Sequence, residues 1–299
     1  MSFLNPVSEP VLLFSSKDTD APQIINTRAI GDIKTVFKAC LVTGYGEKTS
    51  AGWSMLGETN TGADFISPDA DMVKYKISLT NDTESNYSVN HKINDTAKSN
   101  STSTNIIKQP SYTDKSKNAW YMLVTKKGFY FIESFFYTGT SKQAARLSYY
   151  GKVKSALKTD GDTNFLSMII GFSTNYTYGF FESTNKFKIN ISNYSGATAS
   201  ASNSRMASSS LDLNRSLVAV DFSSCIYYRD NDSQVFLGQQ PGLVLNAVND
   251  DTRLFDFIQS TYNNRPVLVV PVGGNESGGA ANFAIQSAQY LIYTDKWDY

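Results

Sequence analysis

The chain has 299 residues, 27 of them basic and 27 acidic, and charged residues make up only 18% of it, against the roughly 25% usual in soluble domains. That balance gives no electrostatic case for nucleic acid, and no acidic tail is present. No apolar run approaches the roughly 18 residues of a membrane-spanning helix. Tyrosine and phenylalanine stand at 18 each, which favours strands over helices, and the length suffices for one large core or two smaller ones.

Met1-Ser-Phe-Leu-Asn-Pro-Val7 has neither a basic start nor an apolar core, which argues against a secretory signal. Residues 1–27 are expected to form an extended arm, with a short strand at 11–14 and a turn at Asp18-Thr-Asp-Ala-Pro22. Such an arm pairs with its own sheet or reaches a neighbour. Over 28–42 the apolar residues Ile30, Ile33, Val36, Phe37, Cys40 and Leu41 recur with the period of a helix. Gly44 falls just past its end, where a left-handed C-cap is expected. Gly46 allows a second unusual backbone angle, and Gly52 stands beside Trp53, which is expected to pack as a core residue on the helix.

The period then changes to two. Met72-Val-Lys-Tyr-Lys-Ile-Ser-Leu79 predicts a strand with Val73, Tyr75, Ile77 and Leu79 on one face, closed by a turn at Asn81-Asp-Thr83. Residues 85–93 alternate through Tyr87, Val89, His91 and Ile93, and 94–105 read as a polar loop without strands. The clearest hairpin runs from 119–125 through Lys126-Lys-Gly128 to 129–137, with strands apolar on both faces as in a central position. Further strands are predicted at 148–153, 165–172, 177–182 and 187–191. Residues 192–216 form a tract rich in Ser, Ala and Asn, read as a polar loop or linker. Beyond it come strands at 217–222, 225–228, 235–238, 242–245, 265–272 and 288–293, and a short helix at 251–260. The expected fold is mainly β: antiparallel sandwich-like layers with one N-terminal helix, a helix-plus-sheet domain over 28–191, and a C-terminal β region over 217–299 packed on the same domain.

The residues offer little chemistry. His91 is the only histidine and alternates with apolar neighbours, a strand residue rather than a triad base. Two cysteines, Cys40 and Cys225, make no disulfide framework, and with one histidine they make no zinc site. Both are expected to be free and buried in a reducing cytoplasm. Asp160-Gly-Asp162 lacks the closing Glu of a calcium loop and reads as a turn. The glycines at 44 and 46 follow a helix, where the dipole end is negative, so they form no phosphate loop. No cofactor, metal or catalytic set is expected. The acidic residues lie in turns rather than within the aromatic strands.

The stretch Leu41-Val-Thr-Gly-Tyr-Gly-Glu-Lys-Thr-Ser-Ala-Gly-Trp53, preceded by Asp20-Ala-Pro22 and followed by Thr59-Asn-Thr61, resembles the N-terminal signature of a family of tailed-bacteriophage and prophage virion proteins, L-V-N-G-Y-G-x-K-x-A-A-G-W. Thr43 stands where that pattern has Asn. Trp120 leading into Gly128-Phe-Tyr-Phe131, Tyr149-Tyr-Gly-Lys-Val153, and Pro241-Gly-Leu243 with Arg265-Pro266 are similar to its later motifs. The resemblance implies a structural, non-catalytic part of a virion, made in the host cytoplasm, whose partners are copies of itself and other virion proteins; contact with the host surface is open. It carries no binding residues, and Gly44, Tyr45, Gly46, Gly52 and Trp53 mark the family through the fold. A receptor- or glycan-binding module with Tyr and Trp platforms is the alternative reading, and a glycan hydrolase the third.

Overall fold

The chain is mainly β, with several antiparallel sheets and, among the described residues, one short α-helix. A computed structural model describes residues 7–25, 29–73, 75–93, 96–97, 105–107, 117–136, 143–152, 154–155, 165–170, 187–192, 198–199, 204–206, 220–230, 233–247, 258–271 and 288–299. A six-stranded N-terminal sheet is a meander of Ser54–Thr59, Gly62–Ile66, Tyr75–Thr80 and Asn86–Ile93, with Thr96–Ala97 and Asn105–Ile107 both paired to the last of these. The central sheet is seven-stranded, in the order Thr198–Ala199, Phe187–Ser192, Phe165–Ile170, Gln143–Lys152, Gly128–Phe136, Trp120–Thr125 and Leu12–Ser15. The C-terminal sheet runs Ser204–Met206, Val220–Asp230, Ser233–Ala247, Ala288–Tyr293, Arg265–Pro271, Ile258–Tyr262, with Lys154–Ser155 also on the Ser233–Ala247 strand.

The helix occupies Asp32–Lys38 and continues as a π-helical turn over Ala39–Thr43. Ile33, Val36, Phe37, Cys40 and Leu41 are completely buried, the apolar stripe that the period of 3.6 predicts. Phe37 is the wedge. Its ring meets Phe65 of the N-terminal sheet edge-on at 5.8 Å, and Phe129 and Phe131 of the central hairpin at 5.4 and 5.0 Å, the geometry that aromatic quadrupoles favour. One helix residue thus joins two sheets into one core, which also takes in Ile77, Leu79, Met122 and Val124.

Both helix ends find hydrogen-bond partners outside the helix. At the start, the Asp82 carboxylate accepts the Lys34 N–H at 2.8 Å across 48 positions of sequence, and the Asp82 carbonyl accepts the Gly31 N–H. Asp82 is fully buried and does the work of an N-cap that no local side chain performs. At the far end, the carbonyls of Cys40 and Leu41 accept the N–H groups of Ala51 and Trp53, which satisfies acceptors a helix terminus otherwise leaves open.

Several sequence expectations are corrected. The helix begins at Asp32 rather than 28, and Ile30, counted in its stripe, lies in the preceding turn and is 57% exposed. Val73 is 64% exposed because a 3₁₀ turn at Ala70–Met72 delays the strand to Tyr75; Met72 is buried instead. For the arm, of the two outcomes expected, pairing within the chain is the one found: Leu12–Ser15 is an edge strand of the central sheet, and Ser8–Pro10 pairs with Lys296–Asp298. Strand Thr96–Ala97 interrupts the stretch read as strandless, and Ser54–Thr59 with Gly62–Ile66 form a hairpin that the period-two reading did not include. Of the helix expected at 251–260, residues 258–260 belong to strand Ile258–Tyr262, with side chains of Gln259 and Ser260 exposed; the rest lies outside the described residues, as does the strand expected at 177–182. In the Ser-rich tract, Thr198–Ala199 closes the central sheet and Ser204–Met206 opens the C-terminal one, so the tract carries the crossover between them.

Phe37→Ala is expected to destabilise the fold by about 3–5 kcal/mol, and Asp82→Ala by about 1–3 kcal/mol through the orphaned Lys34 N–H. Urea unfolding of the purified variants checks both, and a Phe37→Ala loss below 1 kcal/mol contradicts the wedge.

Candidate functional site

Gly44, Tyr45 and Trp53 form the joint between helix, arm and central hairpin, and Gly46 (φ +51) and Gly52 (φ +76) are exposed turn positions in the loop that links them. The Gly44 N–H closes the π turn on the Ala39 carbonyl at 2.8 Å. Gly44 has φ +76 and ψ 176, a positive φ but not the left-handed helical conformation expected of a C-cap. Tyr45 and Lys48 then exchange backbone hydrogen bonds in a tight turn, and the Tyr45 hydroxyl donates to Asp18 Oδ2 at 2.8 Å. The same carboxylate oxygen accepts the Ser15 N–H, and Lys48 Nζ donates to the Leu13 carbonyl. The open edge of the Leu12–Ser15 strand is therefore covered by the loop that carries the motif. Burial, and then the hydrogen bond to Asp18, push the Tyr45 hydroxyl well above the usual tyrosine range.

Trp53 is buried, lies edge-on to Phe129 at 5.6 Å, and donates its indole N–H to the Thr125 carbonyl at 3.2 Å. Trp120 does the equivalent for the arm, donating to the Pro22 carbonyl at 2.9 Å. Trp297, also buried, is edge-on to Tyr130 at 5.0 Å and donates to the Tyr293 carbonyl. All three tryptophans of the chain are thus core residues with satisfied N–H groups, which takes tryptophan platforms out of the glycan-binding alternative.

A second concentration of polar groups, at the turn of the central hairpin, has no counterpart in the pattern of residues. A Lys-Lys turn reads as solvated, yet Lys127 is 4% exposed. Its ammonium lies 3.5 Å from Glu9 and 3.9 Å from Asp69, and 5.4 Å from the ring centre of Tyr299. The carbonyls of Thr125, Lys126 and Lys127 accept Trp53 Nε1, Ser67 Oγ and the Lys152 N–H, and the Thr125 and Tyr299 hydroxyls share a 2.7 Å hydrogen bond. Only long-range packing reveals this cluster, because Glu9, Asp69 and Lys127 are far apart in sequence.

The remaining candidates stay apart. His91 stands on a strand opposite Ile77. The Cys40 thiol is buried and pushed up, by burial first and then by the Asp18 carboxylate, the environment of an inert cysteine. Cys225 lies on the Val220–Asp230 strand opposite Gln239. Asp160-Gly-Asp162 lies outside the described residues. Among the described residues no group of three or more His, Cys, Asp or Glu side chains could hold a metal ion, and no helix is long and apolar enough to cross a membrane. No family model, curated protein or solved structure matches the chain.

Two outcomes test this joint. Gly52 has φ +76 with open space around it, whereas a Cβ on Gly44 runs into the Lys48 carbonyl oxygen. Gly52→Ala is therefore expected to cost about 1–2 kcal/mol and Gly44→Ala clearly more; denaturant midpoints of equal size contradict the placement of Gly44. The second concerns alkali. Burial pushes Tyr75 up from 10.0 to about 12, and Tyr130 and Tyr149 are raised in the same direction. The folded state holds these protons more tightly than the unfolded state, so their stabilisation is complete below pH 10.0 and is lost as pH rises toward 12. Tyrosinate absorbance from these residues is expected to rise together with loss of near-ultraviolet circular dichroism, and a rise to all tyrosines with the dichroism intact contradicts their burial.

Proposed function

We propose that this chain is a non-enzymatic structural component of a tailed-bacteriophage virion, working through protein–protein contacts with copies of itself and with other virion proteins. The observation that carries the reading is where the signature residues stand. Of the residues that resemble the family's motif, Gly44, Tyr45 and Trp53 are engaged in internal joints of the fold and Gly46 and Gly52 hold positive backbone angles in the loop that links them, as expected of a motif that marks an architecture rather than a ligand site. The mainly β construction and the buried tryptophans support it further. On this reading the protein is made in the cytoplasm of the bacterial host and resides in the particle. Symmetric virion positions demand repeated identical contacts, so a copy number matching threefold or sixfold sites is expected. Quantitative mass spectrometry of purified particles checks this, and the absence of the chain from intact virions rejects the proposal.

A further inference from the structure

Lys127 has its ammonium held in place. Its side chain is 5% exposed, those of Glu9 and Asp69 are 15% exposed each, and the nitrogen lies between the two carboxyl groups, 3.5 Å from Glu9 Oε1 and 3.9 Å from Asp69 Oδ2. The Tyr299 ring covers it at 5.4 Å. The backbone on each side is fixed: Lys127 donates its N–H to Thr125 Oγ1 and accepts from Lys152, and Asp69 donates its N–H to Ser67 Oγ, whose own hydroxyl donates to the Lys126 carbonyl. The Ser67 hydroxyl thus ties the loop carrying Asp69 directly to the hairpin turn carrying Lys127. Glu9 is held by the pairing of Ser8–Pro10 with Lys296–Asp298.

We propose that Lys127 and Asp69 condense to an amide, an intramolecular cross-link between the central hairpin and the loop after the Gly62–Ile66 strand, with Glu9 carrying the protons. Glu9 takes a proton from the ammonium, which frees the nitrogen lone pair, and passes it to the Asp69 carboxylate; the amine then attacks the carboxyl carbon of the neutral acid so formed. The new C–N bond forms, one C–O bond of Asp69 breaks, and that oxygen leaves as water with two of the three ammonium protons, relayed through Glu9. An ammonium and a carboxylate thereby become one amide and one water, with no oxidant, reductant or further reactant. The assignment of roles follows the distances. Glu9 is the nearer ion-pair partner and the proton acceptor. The Asp69 oxygen lies beyond hydrogen-bond length, so Asp69 is the less tightly paired of the two carboxyl groups to Lys127, and the gathering of all three largely buried side chains in one cluster supplies the proximity on which intramolecular reactions depend. The inference stands apart from the virion reading.

Intact-mass spectrometry of the purified, folded wild-type protein is expected to give a mass about 18 Da below that of its chain, one water lost, with peptide mapping placing the loss on a linked pair that contains Lys127 and Asp69. Lys127→Arg and Asp69→Ala are expected at the full mass of their own sequences. Glu9→Gln, checked for wild-type circular dichroism, is expected to remain unlinked. A folded wild-type protein at full mass overturns the proposal, as does a water loss mapped to another pair; complete linking in Glu9→Gln overturns the role of Glu9.

Discussion

The hairpin turn that carries the buried Lys127 is the constraint on which the rest depends. Two-residue turns ordinarily face water, where their free carbonyls are hydrated. Here Lys126 is exposed but Thr125 and Lys127 are buried, and a carbonyl taken out of water must find a protein donor or stay unpaired at about 1–3 kcal/mol. The donors are the Trp53 indole from the motif loop, the Ser67 hydroxyl from the N-terminal sheet and the Lys152 amide from the neighbouring strand. Satisfying one short turn therefore requires three distant segments to be in place together. The buried Lys127 ammonium adds Glu9 from the arm and Asp69 from the N-terminal sheet, because a charge taken out of water demands partners.

The helix obeys the same logic. It is too short to be stable alone, and the chain secures both ends from outside, with Asp82 at one and the returning segment through Ala51 and Trp53 at the other. Phe37 then uses the helix as a wedge between two sheets. The motif loop holds the arm as well, through Tyr45 and Lys48. Arm, helix, motif and hairpin are coupled parts, and a substitution in any one is transmitted to the others through shared hydrogen bonds rather than through one continuous element.

Edge protection follows from these joints. The Leu12–Ser15 edge is covered by the motif loop. The Ser54–Thr59 edge, largely exposed, breaks register between Leu56 and Thr59 and carries Glu58, which pairs with Lys38 at 2.8 Å and Lys34 at 3.4 Å; the hydrogen bond from Lys38 holds the Glu58 carboxyl below its usual range. An irregular, charged edge resists pairing with another sheet.

The amino-acid pattern by itself determined the mainly β class, the helix face from Ile33 to Leu41, the central hairpin, and the burial of Trp53. These are local: period 3.6, period 2 and a turn between two apolar runs are written in neighbouring residues. Tertiary structure decided the rest. Ile30 and Val73 fit their periods yet lie exposed, because the elements begin later than the pattern does. Ser260 fell in a predicted helix yet lies on a strand, because pairing with Val267 outweighs local propensity. Asp82 as a helix cap, the arm's pairing with Lys296–Asp298, and the meeting of Lys127, Glu9 and Asp69 join residues tens to hundreds of positions apart. No local preference encodes such meetings; they arise where buried polar groups must be satisfied and the folded chain brings a partner within reach.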